Sequence, residues 1–214
     1  MAVKLAAPKL SAQLEVVELA AMIDDGELES AQLQGVDATN TNIAALDLSD
    51  VLLEKVQFTG SQLSRITMRD VVAKQTDLSS VSLDSSSIIR TQFTNCRMTG
   101  VDFSRTTLHD VIFRGCKLDL ANFRHADLRR VQFIDCTLIE TDFGGSAIAS
   151  VEYQSSVLDR TIFSQAKCKL VDLRSSQLLE VKGWGSLKGT TIDSVQLAEV
   201  APYLAQELGL SVRS

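Results

Sequence analysis

The sequence predicts an all-β solenoid, a coil of short strands stacked along one axis. Three observations lead to this fold class: an apolar residue recurs every five positions, a small or β-branched residue stands two positions before it, and side chains of one kind recur every twenty positions. Thirty consecutive units from Leu33 to Leu178 keep the five-residue spacing without an insertion or deletion. This period belongs neither to a helix nor to an ordinary strand, so a repeat architecture is favoured.

Each five-residue unit holds two core positions, such as Val131 and Phe133. Because they lie two residues apart on extended backbone, both side chains point to the same face. The next small position, three residues further on, would point outward if the strand continued straight. The chain must therefore bend once per unit, which predicts flat-sided coils stacked by parallel pairing about 4.8 Å apart.

The number of sides follows from which residues stack. A triangular coil would place Phe93 over Leu108, whereas a four-sided coil of twenty residues stacks aromatic rings on aromatic rings. The two aromatic columns would be Phe93, Phe113, Phe133 and Tyr153, and Phe103, Phe123, Phe143 and Phe163. We therefore expect a quadrilateral solenoid of about 7.5 coils, a rod roughly 36 Å long.

The solenoid is predicted over residues 31–182, between capping segments at 1–30 and 183–214. Caps are expected because a stacked rod exposes unpaired backbone and apolar core at both ends. At the N-terminus, Ser11 as N-cap and Gly26 as terminator predict a helix near 11–24. Its apolar stripe comprises Leu10, Leu14, Val17 and Ala21.

At the other end the period fails at residues 183–185 and resumes one residue early, at Leu187 and Ile192. Trp184 is interpreted as cover for the edge of the core. A second helical stretch is expected from Ser194, broken or kinked at Pro202. Four apolar residues of this stretch either cover the last coil or pair with a second chain: Leu197, Val200, Leu204 and Leu208.

Composition indicates one folded domain with a reduced core. The chain has 214 residues, of which 45% are hydrophobic, and its start has too short an apolar stretch for a signal peptide. We therefore expect a cytoplasmic protein. The four cysteines, Cys96, Cys116, Cys136 and Cys168, fall on core positions and are interpreted as buried thiols. The net charge of -6 arises in residues 1–50, since residues 51–180 hold fifteen acids against sixteen bases.

The sequence shows no pattern typical of catalysis, of a cofactor site or of direct nucleic-acid binding. The two histidines, His109 and His125, fall on outward positions of different sides, so a metal site is not expected. Phosphate loops and long insertions that build pockets are absent from the sequence. A phosphate-binding face would need a net positive stripe, and the acids match the bases in number. An enzyme is therefore not expected.

The repeat resembles that of the pentapeptide-repeat proteins, whose unit is Ala, Asp or Asn, Leu or Phe, then two variable residues. The fit is best in "ANFRH" and "ADLRR", residues 121–130, and the resemblance covers about residues 31–182. It implies a right-handed quadrilateral β-helix. In the gyrase-inhibiting branch of this family the C-terminal end forms a dimer, which implies a homodimer here.

Two functions are consistent with these features. The favoured hypothesis is a non-enzymatic, rigid interaction scaffold that binds a protein partner through polar solenoid faces. The alternative, implied by the resemblance, is a DNA mimic that binds a type II topoisomerase, DNA gyrase, and protects it from quinolones or related toxins. A mimic requires rows of carboxylates, but no outer column of residues 31–180 has three in succession.

Overall fold

The protein folds as a parallel β-solenoid of about eight turns with one C-terminal helix. The computed structural model describes residues 3–20, 26–43 and 45–211. Within these ranges the strands are β1 (Glu15–Val16), β2 (Glu27–Gln34), β3 (Asp47–Glu54), β4 (Thr67–Lys74), β5 (Ser87–Thr94), β6 (Thr107–Arg114), β7 (Asp127–Ile134), β8 (Ala147–Gln154), β9 (Val157–Asp159), β10 (Lys167–Asp172) and β11 (Gln177–Leu179). A 3-10 helix covers Trp184–Leu187, and α1 covers Ser194–Glu207.

The predicted twenty-residue register is confirmed by the strand pairing. In β6 and β7, Leu108 pairs with Leu128 and Phe113 with Phe133, both in parallel. Each of these long strands spans two sides of a coil. The other two sides pair through single parallel bridges, such as Asp77 with Arg97 and Asp102 with Asn122. Pairing on all four sides at one spacing keeps every residue above its counterpart twenty positions earlier.

The bend after each side requires a residue with positive φ. In the turn that links Leu118 to Ala121, the Ala121 amide donates to the Leu118 carbonyl over 3.1 Å, and Leu120 has φ of 60°. A positive φ at the third residue is the property of a type II turn. Parallel pairing with the coils above and below holds even Leu120 at this unfavourable positive φ. Without the bend, the next core residue would point into water.

Stacked aromatic rings fill the core. The Phe123 ring lies 4.8 Å from those of Phe103 and Phe143, nearly parallel to both, and meets Phe113 and Phe133 edge to face at 6.3 and 6.1 Å. All five side chains are fully buried. Both arrangements are favourable for aromatic quadrupoles, so the predicted columns give the interior a regular geometry.

The small core position accepts serine, threonine and cysteine because each can bond to the preceding coil. The Thr141 hydroxyl donates to the Leu118 carbonyl over 2.8 Å, and the Thr161 hydroxyl donates to that of Leu138 over 2.7 Å. Cys116 makes the equivalent contact with Phe93 at 3.5 Å. A buried polar group with a partner avoids most of its desolvation cost. This explains why the repeat departs so often from alanine.

The N-terminal segment is extended where a helix was predicted. Over residues 11–18 the predicted helix is wrong: Glu15 and Val16 form β1, which pairs in parallel with Ala31 and Gln32. Helical backbone is present at residues 19 and 20, and residues 21–25 lie outside the described ranges. The apolar spacing was misleading because Leu10, Leu14 and Val17 are half-buried along an extended chain. Strand β2 begins at Glu27, so coil pairing already includes the end of the segment assigned to the N-terminal cap.

The C-terminal end changes register as the sequence indicates. Asp172 bridges to Thr191, an offset of nineteen, and Leu187 is buried. Gly183 has φ of 82°, and a Cβ there would lie 2.5 Å from the Ser164 nitrogen. Trp184 packs partly buried against the core, as predicted for edge cover.

Helix α1 closes this end of the rod. It begins after Asp193, whose carboxylate accepts from the amides of Val195 and Gln196 in a capping box. Of the two outcomes predicted at Pro202, the break is wrong, because the helix continues to Glu207, and the kink stays a prediction. Glu207 in turn accepts from the amides of Trp184 and Gly185 over 3.0 and 2.8 Å, which ties the helix to the last coil.

Replacing one ring of the stacked columns tests the core. In F123A, the loss of four ring contacts and the resulting cavity should lower the free energy of unfolding by about 3 to 5 kcal/mol. The exposed R129A in the same coil should change it by about 0.5 to 1 kcal/mol at most. Chemical denaturation followed by circular dichroism measures both. Equal losses in the two variants would contradict this account of the core.

Candidate functional site

The outward side chains form four flat faces, and their charges are largely paired. Of the fifteen carboxylates in residues 51–180, ten lie within 4.0 Å of an arginine, lysine or histidine nitrogen. Asp77 with Arg97 is one such pair between neighbouring coils, at 3.3 Å. Exposed pairs of this kind contribute little to stability. Their main effect is to replace a row of negative charge by a mixed surface.

One corner of the rod carries two ion pairs in which an arginine binds both oxygens of a carboxylate. Arg90 donates from Nε and Nη2 to the two carboxylate oxygens of Asp70, over 2.7 and 2.5 Å. Arg130 holds Asp110 in the same way, with both distances 2.7 Å. These arginine hydrogen bonds hold the pKa values of Asp70 and Asp110 below the ordinary range, despite partial burial that acts in the opposite direction. Both carboxylates are therefore fixed in place as anionic acceptors.

The N-terminal segment runs along this corner, and its backbone amides bind the carboxylates. We call residues 3–11 the strap. The amide of Ala6 donates to Asp110 over 3.2 Å, and that of Lys9 donates to Asp70 over 3.1 Å. One further hydrogen bond is made at each end of the strap. Val3 donates to Glu152, and Ser11 donates to Asp50 over 2.7 Å.

The strap fits the corner because its length per residue matches the coil spacing. From Val3 to Ser11 the chain advances eight residues while its acceptors, from Glu152 to Asp50, descend about five coils. Five coils measure about 24 Å, so the strap rises about 3 Å per residue, as extended and polyproline II chains do. Three residues then span two coils. From Val3 to Lys9 every third amide therefore meets a carboxylate, and Ser11, two residues further on, meets Asp50 one coil below Asp70. Pro8, which has no amide hydrogen, stands between Ala6 and Lys9 where none is needed.

The carboxyl groups of the corner differ in their surroundings. Asp110 is only 8% exposed, and Glu152, at the upper end, is 5% exposed. Glu152 also accepts from the side-chain amides of Gln132 and Gln154, both over 2.9 Å. Asp50 lies at the lower end. Burial raises its pKa, but hydrogen bonds from Ser11 and Ser30 outweigh burial and leave the pKa lowered.

The strap is held by a small balance of opposing terms. Ordering its backbone costs about 1 to 2 kcal/mol per residue, roughly 9 to 18 kcal/mol in total. Its hydrogen bonds to carboxylates contribute about 1.5 to 3 kcal/mol each, roughly 6 to 12 kcal/mol. Half-burial of Val3, Leu5, Pro8 and Leu10 adds about 1 kcal/mol per side chain. The terms cancel to within a few kcal/mol, so the strap opens far more easily than the core.

Next to the strap's carboxylates lies a short apolar strip. The outward residue two positions after Asp50, Asp70 and Asp110 is Leu52, Val72 and Ile112 respectively, and all three are half-buried. In the other coils this position holds a polar residue, as in Gln92 and Gln132. Apolar residues on an outward position therefore coincide with the carboxylates that bind the strap.

The structure separates the four residues that the sequence singles out in the C-terminal helix. Val200 is fully buried, and Leu204 is partly buried against the core. Leu197 and Leu208 are 51% and 74% exposed. Val200 and Leu204 thus cover the last coil, while the other two leave an apolar surface. Val195 and Leu210 are also exposed.

A cleft of about 560 Å³ lies at the upper end of the strap, lined by residues that include Lys4, Arg130, Glu152 and Arg174. Within the described ranges, three or more metal-ligating side chains do not come together at any point. The helices described there are too short or too polar to cross a membrane.

The only sequence signal for the strap is Pro8, which argues against helix in the preceding residues.

Acid should weaken the corner. The lowered pKa values of Asp70 and Asp110 mean that their contribution to folding is complete above about pH 4 to 5, and is lost as pH falls through the folded values. In D110N the free energy of unfolding should be below that of the unmodified protein at about pH 7, and the two should converge towards about pH 2. Denaturation at several pH values measures this. A difference that does not change with pH would contradict the assignment.

The solved structures that are similar to this chain at low identity include QnrB1 and HetL. QnrB1, a plasmid-mediated fluoroquinolone resistance protein, in a trypsin-treated variant form, is 23% identical over 87% of this chain and 90% of its own, with a TM-score of 0.49. HetL, a pentapeptide repeat protein involved in heterocyst differentiation regulation from the cyanobacterium Nostoc sp., is 18% identical over 78% of this chain and 90% of its own, with a TM-score of 0.45. No curated protein matches this sequence.

Two family models match the repeat itself. The model described as "Pentapeptide repeat region" matches residues 67–143, 86–163 and 106–183, and the one described as "Pentapeptide repeats (8 copies)" matches residues 31–70. The matches extend over more than half of the chain. The chain belongs to the pentapeptide-repeat family.

Proposed function

We propose that the protein is a non-enzymatic, rigid scaffold that binds a protein partner through the polar faces of its solenoid, in the cytoplasm. The observation that carries this proposal is the division between inward and outward residues. The core contacts determine the shape, and the outward side chains of each coil form flat, charge-paired faces. All four cysteines are free thiols, which suits a reducing compartment.

The faces are large enough for a specific interface. One of the four sides amounts to roughly a quarter of the accessible surface of 10511 Å². A stable interface uses about 800 Å² per partner, so part of one face suffices. A regular array of parallel strands also moves little on binding. The partner therefore meets a preorganised surface, which reduces the entropic cost of association.

The surface charges favour this role over DNA mimicry. A mimic of duplex DNA would present successive unpaired carboxylates. Here Arg90 and Arg130 neutralise Asp70 and Asp110, and Arg97 and Arg124 bind Asp77 and Asp142 on other faces. A DNA mimic that binds DNA gyrase is therefore the less favoured alternative.

One coil offers a matched set of variants that locates the binding face. Each of its four sides carries at least one exposed basic residue, and the set takes one from each side: Arg114, Lys117, Arg124 and Arg129. We expect a protein captured from an extract of the source organism to be lost with one of R114E, K117E, R124E and R129E and retained with the other three. Quantitative mass spectrometry of the captured proteins measures this, and circular dichroism verifies folding. Capture that is the same with all four variants would contradict binding through a face.

The same preparation distinguishes the alternative. At about micromolar protein, well above the dissociation constant of a specific complex, DNA supercoiling by gyrase should be unchanged with and without quinolone. Inhibition of supercoiling, or protection from the drug, would overturn the preference for another partner and support the mimic.

We also propose that the C-terminal end forms a homodimer through the exposed residues of α1. Leu197 and Leu208 would lie in the interface, because neither covers the core. In L197E/L208E, sedimentation equilibrium should give the mass of one chain, 23.3 kDa, with unchanged thermal stability, whereas the unmodified protein should give twice that mass.

The control for the dimer is L120E, in which one glutamate replaces an exposed leucine on the solenoid body. It should leave the dimer intact. An unmodified protein that sediments as a single chain at about 100 µM would contradict the homodimer, since specific interfaces hold well below that concentration.

A further inference from the structure

We propose that the corner of the rod beneath the strap is a docking track for an extended peptide segment of a protein partner, and that the strap is an internal competitor that the partner displaces. The track consists of three carboxylates and the apolar residues that follow them: Asp50, Asp70, Asp110, Leu52, Val72 and Ile112. This inference rests on the proposed interaction role and names the surface and the class of partner.

The strap is recognised through its main chain, so another sequence can replace it. The bonds from Ala6 and Lys9 to Asp110 and Asp70 use backbone amides only. The side chains of Lys4, Ala6, Ala7 and Lys9 are exposed. What the track requires is an extended chain whose free amides meet Asp110, Asp70 and Asp50 at steps of three and then two residues. Main-chain recognition of an added extended segment is a common mode of peptide binding.

The track also defines which residues suit the remaining positions. Val3, Leu5, Pro8 and Leu10 are the half-buried residues of the strap. Proline at a position without a donated amide favours the extended backbone before binding, and so lowers the entropic cost. The apolar strip gives such residues a surface to cover. The matching partner segment is therefore extended, rich in apolar residues and proline, and free of acidic residues that the carboxylates would repel.

The acceptors stay in position when the strap leaves. Arg90 and Arg130 hold Asp70 and Asp110 through two hydrogen bonds each, independently of the strap. The track is therefore preorganised. The strap remains tethered beyond Ser11 by the pairing of β1 with β2, so that it can return when a partner dissociates. A tether of this kind makes the strap an effective competitor at high local concentration.

Proline substitutions test the track in the full-length chain. A6P/K9P removes the two donated amides while it preserves an extended backbone. A7P, next to Pro8, is the matched control, because the Ala7 amide donates no hydrogen bond in the described part of the structure. The probe is a fluorescent peptide with the sequence of residues 1–12, and anisotropy measures its binding. We expect it to bind A6P/K9P at least about tenfold more tightly than it binds A7P or the unmodified protein.

Peptide chemistry gives the second control. A probe N-methylated at its sixth and ninth residues should bind A6P/K9P at least about tenfold more weakly, whereas N-methylation at the fifth and seventh should matter less. Equal binding of the two methylated probes, or of the probe to all three proteins, would overturn the proposal. Binding that requires a second copy of the chain, seen as strap exchange in a concentration-dependent dimer, would also overturn it.

Hydrogen exchange in the unmodified protein keeps the proposal testable if A6P/K9P does not fold. The amides of Ala6, Lys9 and Ser11 should exchange at least about a thousandfold faster than that of Phe123, which donates to Asp142 within the solenoid. Strap amides as protected as the core would indicate a permanent brace and overturn the displacement. If the strap amides are as protected as the core but a partner is still captured through another face, the docking track is wrong and the scaffold role stands.

Discussion

In-register stacking of identical positions is the constraint on which the structure depends. Each residue lies above the one twenty positions earlier, as Phe133 lies above Phe113. From Glu27 to Lys182 the ladder keeps one spacing, since one extra residue within a side would turn the following core side chains towards solvent. The positive φ of residues such as Leu120 and Arg130 is the conformational cost of this register. Ring stacking and interstrand hydrogen bonds offset that cost in every coil.

The same constraint shapes the surface. Because neighbouring coils lie about 4.8 Å apart, an outward side chain always has two close neighbours, twenty residues before and after it. Opposite charges in that column form bonds such as Arg90 to Asp70, whereas like charges would repel one another. A regular ladder thus converts a list of variable residues into a defined pattern of charge. The strap depends on this regularity, because the amides of Val3, Ala6 and Lys9 meet carboxylates two coils apart and that of Ser11 meets one a single coil further on.

The two ends behave differently because the ladder cannot continue there. At the C-terminus the chain departs from the period, and α1 covers the exposed edge with Val200 and Gln196, whose amide nitrogen donates to the carbonyls of Leu173 and Ser176 over 2.7 Å. The N-terminal segment instead adds a short parallel strand and then lies along the outside of the rod. The first arrangement closes the core, and the second occupies a face.

The sequence by itself determined the solenoid, its four sides and its aromatic columns, because periodicity and side-chain type depend only on the order of residues. It also located the C-terminal helix and its register change. Only the tertiary structure decided the path of residues 3–18. Apolar residues three to four positions apart occur both in a helix and in an extended chain that contacts a rod at about every third residue. The carboxylates that distinguish the two structures lie up to about 150 positions away in the sequence. Which leucines of α1 are buried was decided in the same way, by the position of the last coil.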